Sequence, residues 1–210
     1  FGIALATVTL PYLSRQYANE SHAEFSATLD WSMKLVLIIA VPAAVGLIVL
    51  AQPLVTTLFY GGVFSRDDVE MTALALQAFS VGLIGFSYVK ILAPAYFARE
   101  DTKTPVKIGL IALAVNFLLS VSLAWYLTSI GYAGSHAGLA LATSVAAILN
   151  AALLYKGLRT DAVLRHSNGW LALLAQVAVA NGVMWFVIDR LQRPLTWWAR
   201  FARSARDSPS

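Results

Sequence analysis

The chain has 210 residues, of which 59% are hydrophobic and 12% are charged, with a net charge of +4 and no cysteine. Its mean hydropathy of +0.69 leaves too little polar surface for a water-soluble globule of this size. Without cysteine there is no disulfide framework or thiolate metal site, and His22, His136 and His166 lie on three different connections. The composition therefore predicts a membrane protein, and we expect no metal site and no cofactor.

Charge-free apolar runs recur along the chain at the length that a membrane requires, about 20 residues of helix for the roughly 30 Å hydrocarbon core. Five runs predict membrane spans, and a sixth, at residues 1–14, looks cut off at its start. The fold class predicted is all-α, a polytopic transmembrane helical bundle of about six spans. Since the chain opens in mid-pattern without an initiator methionine, we expect it to be a fragment. The predicted helices cover residues 1–14, 32–60, 68–98, 105–129, 135–157 and 168–189.

The connections carry local signals for helix starts. Ser21 with Glu24, and Ser65 with Asp68, have the spacing of a capping box, in which the hydroxyl accepts a backbone N–H three residues on and the carboxylate accepts the N–H of the cap. Thr104-Pro105 predicts another start, with the threonine as N-cap and the proline at the first helical position.

Two features inside the spans concern their shape and packing. Prolines lie within the first three spans, where each removes a backbone hydrogen bond, so we expect bends or breaks, which are common in transporters: Pro11, Pro42, Pro53 and Pro94. In the fifth span Gly138, Ala142 and Ala146 recur at every fourth residue. This smooth ridge predicts close helix packing.

The lysines and arginines of the connections alternate between the two ends of the spans. The first, third and fifth connections carry eight of them, the second carries one and the fourth none: Arg15, Lys34, Arg99, Lys103, Lys107, Lys156, Arg159 and Arg165 against Arg66. The positive-inside rule places the first, third and fifth connections in the cytoplasm. Residues 189–210 depart from this pattern with five arginines, and we expect an interfacial amphipathic segment or an atypical tail there.

Ionisable and polar side chains at membrane depth are the candidates for a functional site, because they are costly there and usually face a cavity or a partner. Lys90 either snorkels to the interface or holds an anionic head group at the mouth of a cavity. Arg15 is either a flanking charge or a guanidinium whose planar fork binds phosphate. Asn116 and Ser120, one turn apart, either ligate a small cation or hydrogen-bond between helices. Spacing alone favours a snorkelling Lys90 and a flanking Arg15. For Asn116 and Ser120 it favours hydrogen bonding between helices.

Other functions lack their chemical groups in this sequence. A membrane enzyme would need clustered carboxylates, a Ser–His pair or metal-ligand spacing, whereas the Asp and Glu residues occupy connections or flanks of the charge-free runs, apart from Asp189 at the end of the sixth. We therefore predict a non-enzymatic protein without catalytic residues. The basic residues lie at the ends of apolar spans rather than on one face with interleaved aromatics, so we expect no nucleic-acid partner.

Four segments resemble the second half of the MurJ/MviN family of bacterial lipid II flippases. They are LPYLSRQYA (Leu10–Ala18), EFSATLDWSMKL (Glu24–Leu35), SVGLIGFSYVKILAPAYFAREDTKTPVKI (Ser80–Ile108) and GLALATSVAAILNAALLY (Gly138–Tyr155). The resemblance implies a fragment of a fourteen-helix transporter of the multidrug/oligosaccharidyl-lipid/polysaccharide exporter superfamily, holding its eighth to thirteenth helices. It implies that lipid II, the undecaprenyl-diphosphate-linked peptidoglycan precursor, is moved to the outer leaflet of the bacterial inner membrane by alternating access, for cell wall synthesis.

The resemblance also implies roles for single residues and partners. Arg15, in the LSR context of the eighth helix, corresponds to a ligand of the substrate diphosphate, whereas for Lys90 the resemblance adds only its place in a recognisable segment. Expected partners are the lipid-linked precursor, the lipid bilayer and a missing N-terminal half of the same protein. The alternatives are a polysaccharide-repeat flippase or a cation-coupled drug exporter of the same superfamily, and a non-transporting membrane scaffold for cell-wall enzymes. Without an acidic residue in the bundle, the drug exporter is the less favoured.

Overall fold

The computed structural model describes residues 2–61, 63–129, 135–161, 163–164 and 167–191. Within these ranges the chain forms six helices and no strand, so the all-α bundle is confirmed. Five of the helices, α2 to α6, are long and apolar enough to cross a membrane. The helices are α1 (Gly2–Ala18), α2 (His22–Phe59), α3 (Arg66–Phe97), α4 (Lys103–Ser129), α5 (Ser135–Thr160) and α6 (Trp170–Leu191). Of the predicted arginine-rich segment at residues 189–210, residues 189–191 belong to α6 and the remainder falls outside the described residues.

The second helix differs most from its predicted bounds, since it begins at His22 rather than near residue 32. Its first turns are amphipathic rather than apolar, with Phe25, Leu29 and Met33 buried at a spacing of four residues. At 38 residues the helix is about 57 Å long, well beyond the hydrocarbon core. A search for apolar runs detects only the part of such a helix that lies in the membrane.

The third helix is central to the bundle, since it packs against α1, α2 and α5, whereas α4 packs mainly on α5 and α6 on α2. Small residues bring α3 and α5 together: a Cβ atom on Gly85 would lie 2.7 Å from the backbone nitrogen of Ile148, and one on Gly82 would lie 2.6 Å from the Ser144 hydroxyl. The Ser144 hydroxyl donates to the carbonyl oxygen of Ala78 at 2.6 Å. Such close backbone approach is typical of helix pairs in lipid.

The ridge predicted on the fifth helix is buried, which confirms its packing role. Gly138 lies against α4, where a Cβ atom would come 2.6 Å from the Leu127 side chain. A second row of small buried residues, one helical face away, meets α3 through Ser144 and Ala147. The sequence analysis missed this second row because its spacing alternates between three and four residues.

The basic connections meet at one end of the bundle, which we name the basic end. There Arg99, after α3, forms an ion pair with Asp161, after α5, with 3.0 Å between Nη1 and Oδ2. The Lys34 ammonium, on α2, donates to the Ser167 hydroxyl in the connection to α6. The core beneath these contacts joins four helices: Leu13, Phe25, Leu29, Ile91, Leu92, Tyr96, Leu154 and Leu158.

The helix starts agree with the sequence signals at one of three places. Ser65 and Asp68 form the predicted capping box, with the Ser65 N–H donating to the carboxylate at 2.8 Å and the Asp68 N–H to the hydroxyl at 3.2 Å. At Ser21 the prediction of a side-chain cap is wrong, because its hydroxyl makes no capping bond although α2 does begin at the next residue. In that connection Glu20 adopts a left-handed conformation, with φ of 56°.

The fourth helix starts two residues earlier than Thr104-Pro105 predicts, at Lys103. The capping group is Asp101, whose carboxylate accepts the Thr104 N–H at 3.0 Å. Hydrogen bonds from the side chain and backbone of Thr104 lower the pKa of Asp101 below the usual aspartate value. The carboxylate is therefore charged at neutral pH and faces the positive end of the helix dipole.

None of the four internal prolines ends its helix: α1, α2 and α3 run through Pro11, Pro42, Pro53 and Pro94. Breaks at these prolines are therefore ruled out, and the alternative expectation of bends stays a prediction. Near Pro53, hydroxyls support the backbone, since Thr57 donates to the Pro53 carbonyl and Thr56 to the Gln52 carbonyl, both at 2.7 Å. Neighbouring helices and such hydroxyl bonds allow proline in membrane helices.

Candidate functional site

Arg15 lies in the last turn of α1, at the basic end. Its side chain is exposed and forms no ion pair within the described part of the chain. Its carbonyl oxygen accepts the Asn19 N–H at 3.0 Å, where α1 ends. A cation in the last turn is favourable for the helix dipole, so this position suits a flanking charge as well as a ligand.

A groove of about 500 Å³ runs between α1 and α2, and Tyr12 in its lining lies three residues before Arg15. Two aromatic side chains flank it and are largely exposed, Tyr12 at 63% and Trp31 at 61%. Val8 also lines the groove and lies seven residues before Arg15. Residues seven apart share one face of a helix, so Arg15 is on the same face of α1 as Val8. Its Cα lies about 10 Å nearer the basic end. We name this feature the α1/α2 groove. It is lined by Val8, Thr9, Tyr12, Ala27, Thr28, Trp31 and Ser32.

One hydrogen bond fixes the two walls of this groove relative to each other. The Gln16 amide donates from Nε2 to the Thr28 hydroxyl at 2.9 Å. The oxygen of the same amide, Gln16 Oε1, is buried and has no hydrogen-bond partner among the described residues. Ser32 turns its hydroxyl back to the Thr28 carbonyl at 2.8 Å. The groove thus has mostly apolar walls with two exposed aromatic rings, and Arg15 follows on α1 outside its lining.

Lys90 is exposed on α3, on the same face as the exposed Phe79 and Phe86. It lies seven residues before the end of α3 at Phe97, about 10 Å along the axis. It forms no ion pair within the described ranges, and no described contact joins it to Arg15. The structure therefore does not bring the two predicted cations together, and both interpretations of Lys90 stay open.

The polar pair on α4 is brought together, and a third residue joins it. The Ser120 hydroxyl donates to Asn116 Oδ1 at 3.3 Å, and the Thr143 hydroxyl of α5 lies 3.5 Å from the same oxygen. Thr143 also donates to the Leu139 carbonyl at 3.0 Å. No group of three or more histidine or acidic side chains in the described residues is placed to hold a metal. One of these contacts, between Thr143 and Asn116, joins α4 to α5, and both interpretations of the polar pair stay open.

A buried charged cluster that the sequence analysis missed lies where α2 meets the start of α6. Asp30 is only 2% exposed, and its Oδ2 lies 3.0 Å from Lys34 Nζ. The Ser167 hydroxyl donates to Oδ2 at 2.6 Å, and the Trp170 indole donates from Nε1 to Oδ1 at 2.7 Å. The Lys34 ammonium lies 5.5 Å from the centre of the Trp170 ring, within cation–π range. We name these four residues the Asp30 cluster.

The cluster corrects the statement that no carboxylate lies inside the bundle. The sequence analysis assigned Asp30 to a connection because it lies before the apolar run, whereas the helix begins eight residues before it, at His22. Its acid–base spacing of four residues with Lys34 was the available signal, since such pairs occur on helices. Because Asp30 is a buried carboxylate, the lack of an acidic residue no longer counts against a cation-coupled exporter.

The fold defines the class of protein: a multi-pass helical membrane protein, with helices packed through small residues and a groove between α1 and α2. The family profile described as "Lipid II flippase MurJ" matches residues 1–204. The chain belongs to the MurJ family of lipid II flippases, as its four characteristic segments predicted.

Individual relatives agree with the family match. The chain is 41% identical over 201 residues to the probable lipid II flippase MurJ of Vibrio cholerae serotype O1, covering 94% of this chain and 37% of the relative. It is 40% identical over 210 residues to that of Haemophilus influenzae, covering 95% and 39%. A solved structure, lipid II flippase MurJ in an inward closed conformation, superposes with a TM-score of 0.71 at 25% identity, over 94% of this chain and 39% of that one. The chain thus spans less than two-fifths of the length of these relatives.

Proposed function

We propose that this chain acts within a lipid II flippase, moving the undecaprenyl-diphosphate-linked peptidoglycan precursor from the inner to the outer leaflet of the bacterial inner membrane for cell wall synthesis. The observation that carries the proposal is the family match over residues 1–204. The relatives are longer than the chain, so the proposal includes a second helical half as partner. The mechanism is alternating access, in which one half rocks against the other around a polar cavity.

The chemistry of the substrate explains why a polar groove would be needed. A diphosphate carries charge that costs several kcal/mol or more to place in hydrocarbon, so its path requires counter-charges and hydrogen-bond donors. By the positive-inside rule the basic end faces the cytoplasm, the side on which the precursor begins its path. Arg15, at that end and beside the α1/α2 groove, would meet the diphosphate first.

Lys90 is the second candidate cation, placed about two turns inside α3. Its exposed ammonium carries no ion-pair partner in the described ranges, so it is available to an anionic head group. Neither cation is required to transfer a proton or to break a bond. The proposed activity is therefore transport without covalent chemistry, and no residue is assigned a catalytic role.

The test of this proposal is the outward delivery of precursor by the complete protein with substitutions at Arg15. We expect Arg15→Ala to reduce delivery about tenfold or more, because loss of one charge-assisted hydrogen bond costs about 1.5–3 kcal/mol. Arg15→Lys should retain part of the activity, since lysine binds phosphate as a point charge. The matched control is Arg66→Ala, which removes an exposed arginine from the opposite end of the bundle.

The same variants separate transport from a scaffolding role. A scaffold that only recruits cell-wall enzymes should support growth equally well with Arg15→Ala and Arg66→Ala. If membrane levels of the Arg15→Ala protein are normal and delivery of the precursor is unchanged, the role assigned to Arg15 is wrong. Lys90→Ala, measured in the same assay, decides between the snorkelling and head-group interpretations of that lysine.

A further inference from the structure

The sixth helix is attached to the bundle along one narrow row of residues. Among the described helices, α2 alone has its backbone close to the backbone of α6. Its side chains alternate between this row and outward positions such as Leu171 and Val179, exposed at 85% and 67%. The row recurs every three or four residues and contains Trp170, Leu173, Val177, Asn181, Met184 and Ile188. Most of the helix therefore contributes nothing to packing within this chain.

In a bilayer, the apolar part of this row holds α6 only weakly. Lipid tails are as apolar as leucine, so exchanging lipid for a neighbouring helix yields little hydrophobic free energy, and polar contacts become relatively more important. From Leu171 to Leu191, no described side chain hydrogen-bonds to another helix. Asn181, the buried polar residue of the row, donates from Nδ2 to the Val177 carbonyl of its own helix at 2.7 Å.

The polar contacts between α2 and the start of α6 are concentrated in the Asp30 cluster. Ser167 and Trp170 both donate to the Asp30 carboxylate, whose charge is balanced by Lys34 at 3.0 Å. Removing the carboxylate would leave a partly buried ammonium and an indole N–H without this acceptor, which is far costlier than losing an exposed pair. The attachment of α6 therefore depends on one end of the helix.

We propose that the Asp30 cluster is a pivot, which holds α6 to α2 at the basic end and leaves the opposite end of α6 able to move away from α2. Both helices begin at the basic end and run in the same direction, so a motion of α6 about the cluster would displace its far end most. Asp30 acts here as a positioning residue for Ser167 and Trp170. The inference does not depend on the proposed transport activity, because it concerns only the attachment of one helix.

The test measures two distances between spin labels on α2 and α6 in the complete protein in lipid. This chain has no cysteine, so once any cysteines in the rest of the protein are replaced, labels attach only at the chosen sites. The inner pair joins Ile38 to Leu174, near the cluster, and the outer pair joins Leu54 to Leu191, and all four side chains are exposed. We expect a distance distribution at least twice as wide for the outer pair as for the inner one. Equal, narrow distributions would overturn the pivot.

Substitutions then show whether Asp30 is responsible. Asp30→Asn should widen the inner distribution to the width of the outer one, whereas Asp161→Asn, which removes an exposed carboxylate at the same end, should leave it unchanged. If Asp30→Asn fails to assemble, Trp170→Phe removes only the indole donor and should widen the inner distribution by a smaller amount. An inner distribution unchanged in the variants that assemble would contradict the assignment of the pivot to the Asp30 cluster.

Discussion

Replacing Gly85 by alanine should weaken the contact between α3 and α5. The new Cβ would lie 2.7 Å from Ile148 N and between 2.8 and 2.9 Å from the Ala147 carbonyl atoms, whereas ordinary contact begins at 3.4 Å. These neighbours are backbone atoms and cannot rotate away, so the helices must separate by about 0.7 Å, which forfeits a quarter to a half of the dispersion energy of nearby contacts. Overpacking of this kind costs about 1–3 kcal/mol, and the better helix propensity of alanine returns about 0.5–1 kcal/mol. The net loss in the free energy of unfolding is about 0–2.5 kcal/mol.

The assay is the apparent melting temperature of the purified protein in detergent, compared with Gly109→Ala. Gly109 lies within α4 and a Cβ atom there would meet nothing within 4 Å. That variant should be neutral or more stable by up to about 1 kcal/mol, from helix propensity alone. If Gly85→Ala melts at or above the temperature of Gly109→Ala, the close approach of α3 and α5 is not as the structure has it.

Three further predictions concern the helix ends. Ser65→Ala should destabilise the start of α3 by about 1 kcal/mol through loss of its cap, seen as faster amide exchange in the first turn. The pKa of Asp101 is lowered by Thr104, so its contribution to stability is complete above the usual aspartate pKa and is lost as pH falls through the lowered value. Thr104→Val, which removes the hydroxyl, should raise that pKa in a carboxyl-selective NMR titration, and an unchanged value would contradict the assignment. The Arg99–Asp161 pair is partly exposed. Arg99→Ala should therefore change the free energy of unfolding by less than about 1 kcal/mol.

The membrane helices could be predicted because their signals are local. A charge-free run of about 20 residues between charged connections specifies a span regardless of its neighbours, and the Ser65–Asp68 spacing specifies a cap that forms within four residues. The ridge at Gly138 was likewise visible as a repeat along one helix. Each of these features depends on residues close together in the sequence.

The complete Asp30 cluster could not be predicted, because Ser167 and Trp170 lie more than 130 residues from Asp30 in the sequence. Sequence position showed only an aspartate before an apolar run, and its burial results from the arrival of Ser167 and Trp170 at the start of α6. The α1/α2 groove has the same origin, since Tyr12 and Trp31 become its walls only when the two helices pair. At the start of α4 the sequence offers two residues that are good N-caps, Asp101 and Thr104. Local sequence alone does not decide between them, and in the structure Asp101 is the cap.

Transport of the precursor is tested most directly by reconstituting the complete protein in vesicles that contain lipid II and measuring how fast a reagent that cannot cross the bilayer modifies precursor delivered to the opposite leaflet. The predicted result is delivery that depends on the protein and falls about tenfold or more with Arg15→Ala while Arg66→Ala is unaffected. Delivery no faster than in protein-free vesicles would contradict the flippase proposal.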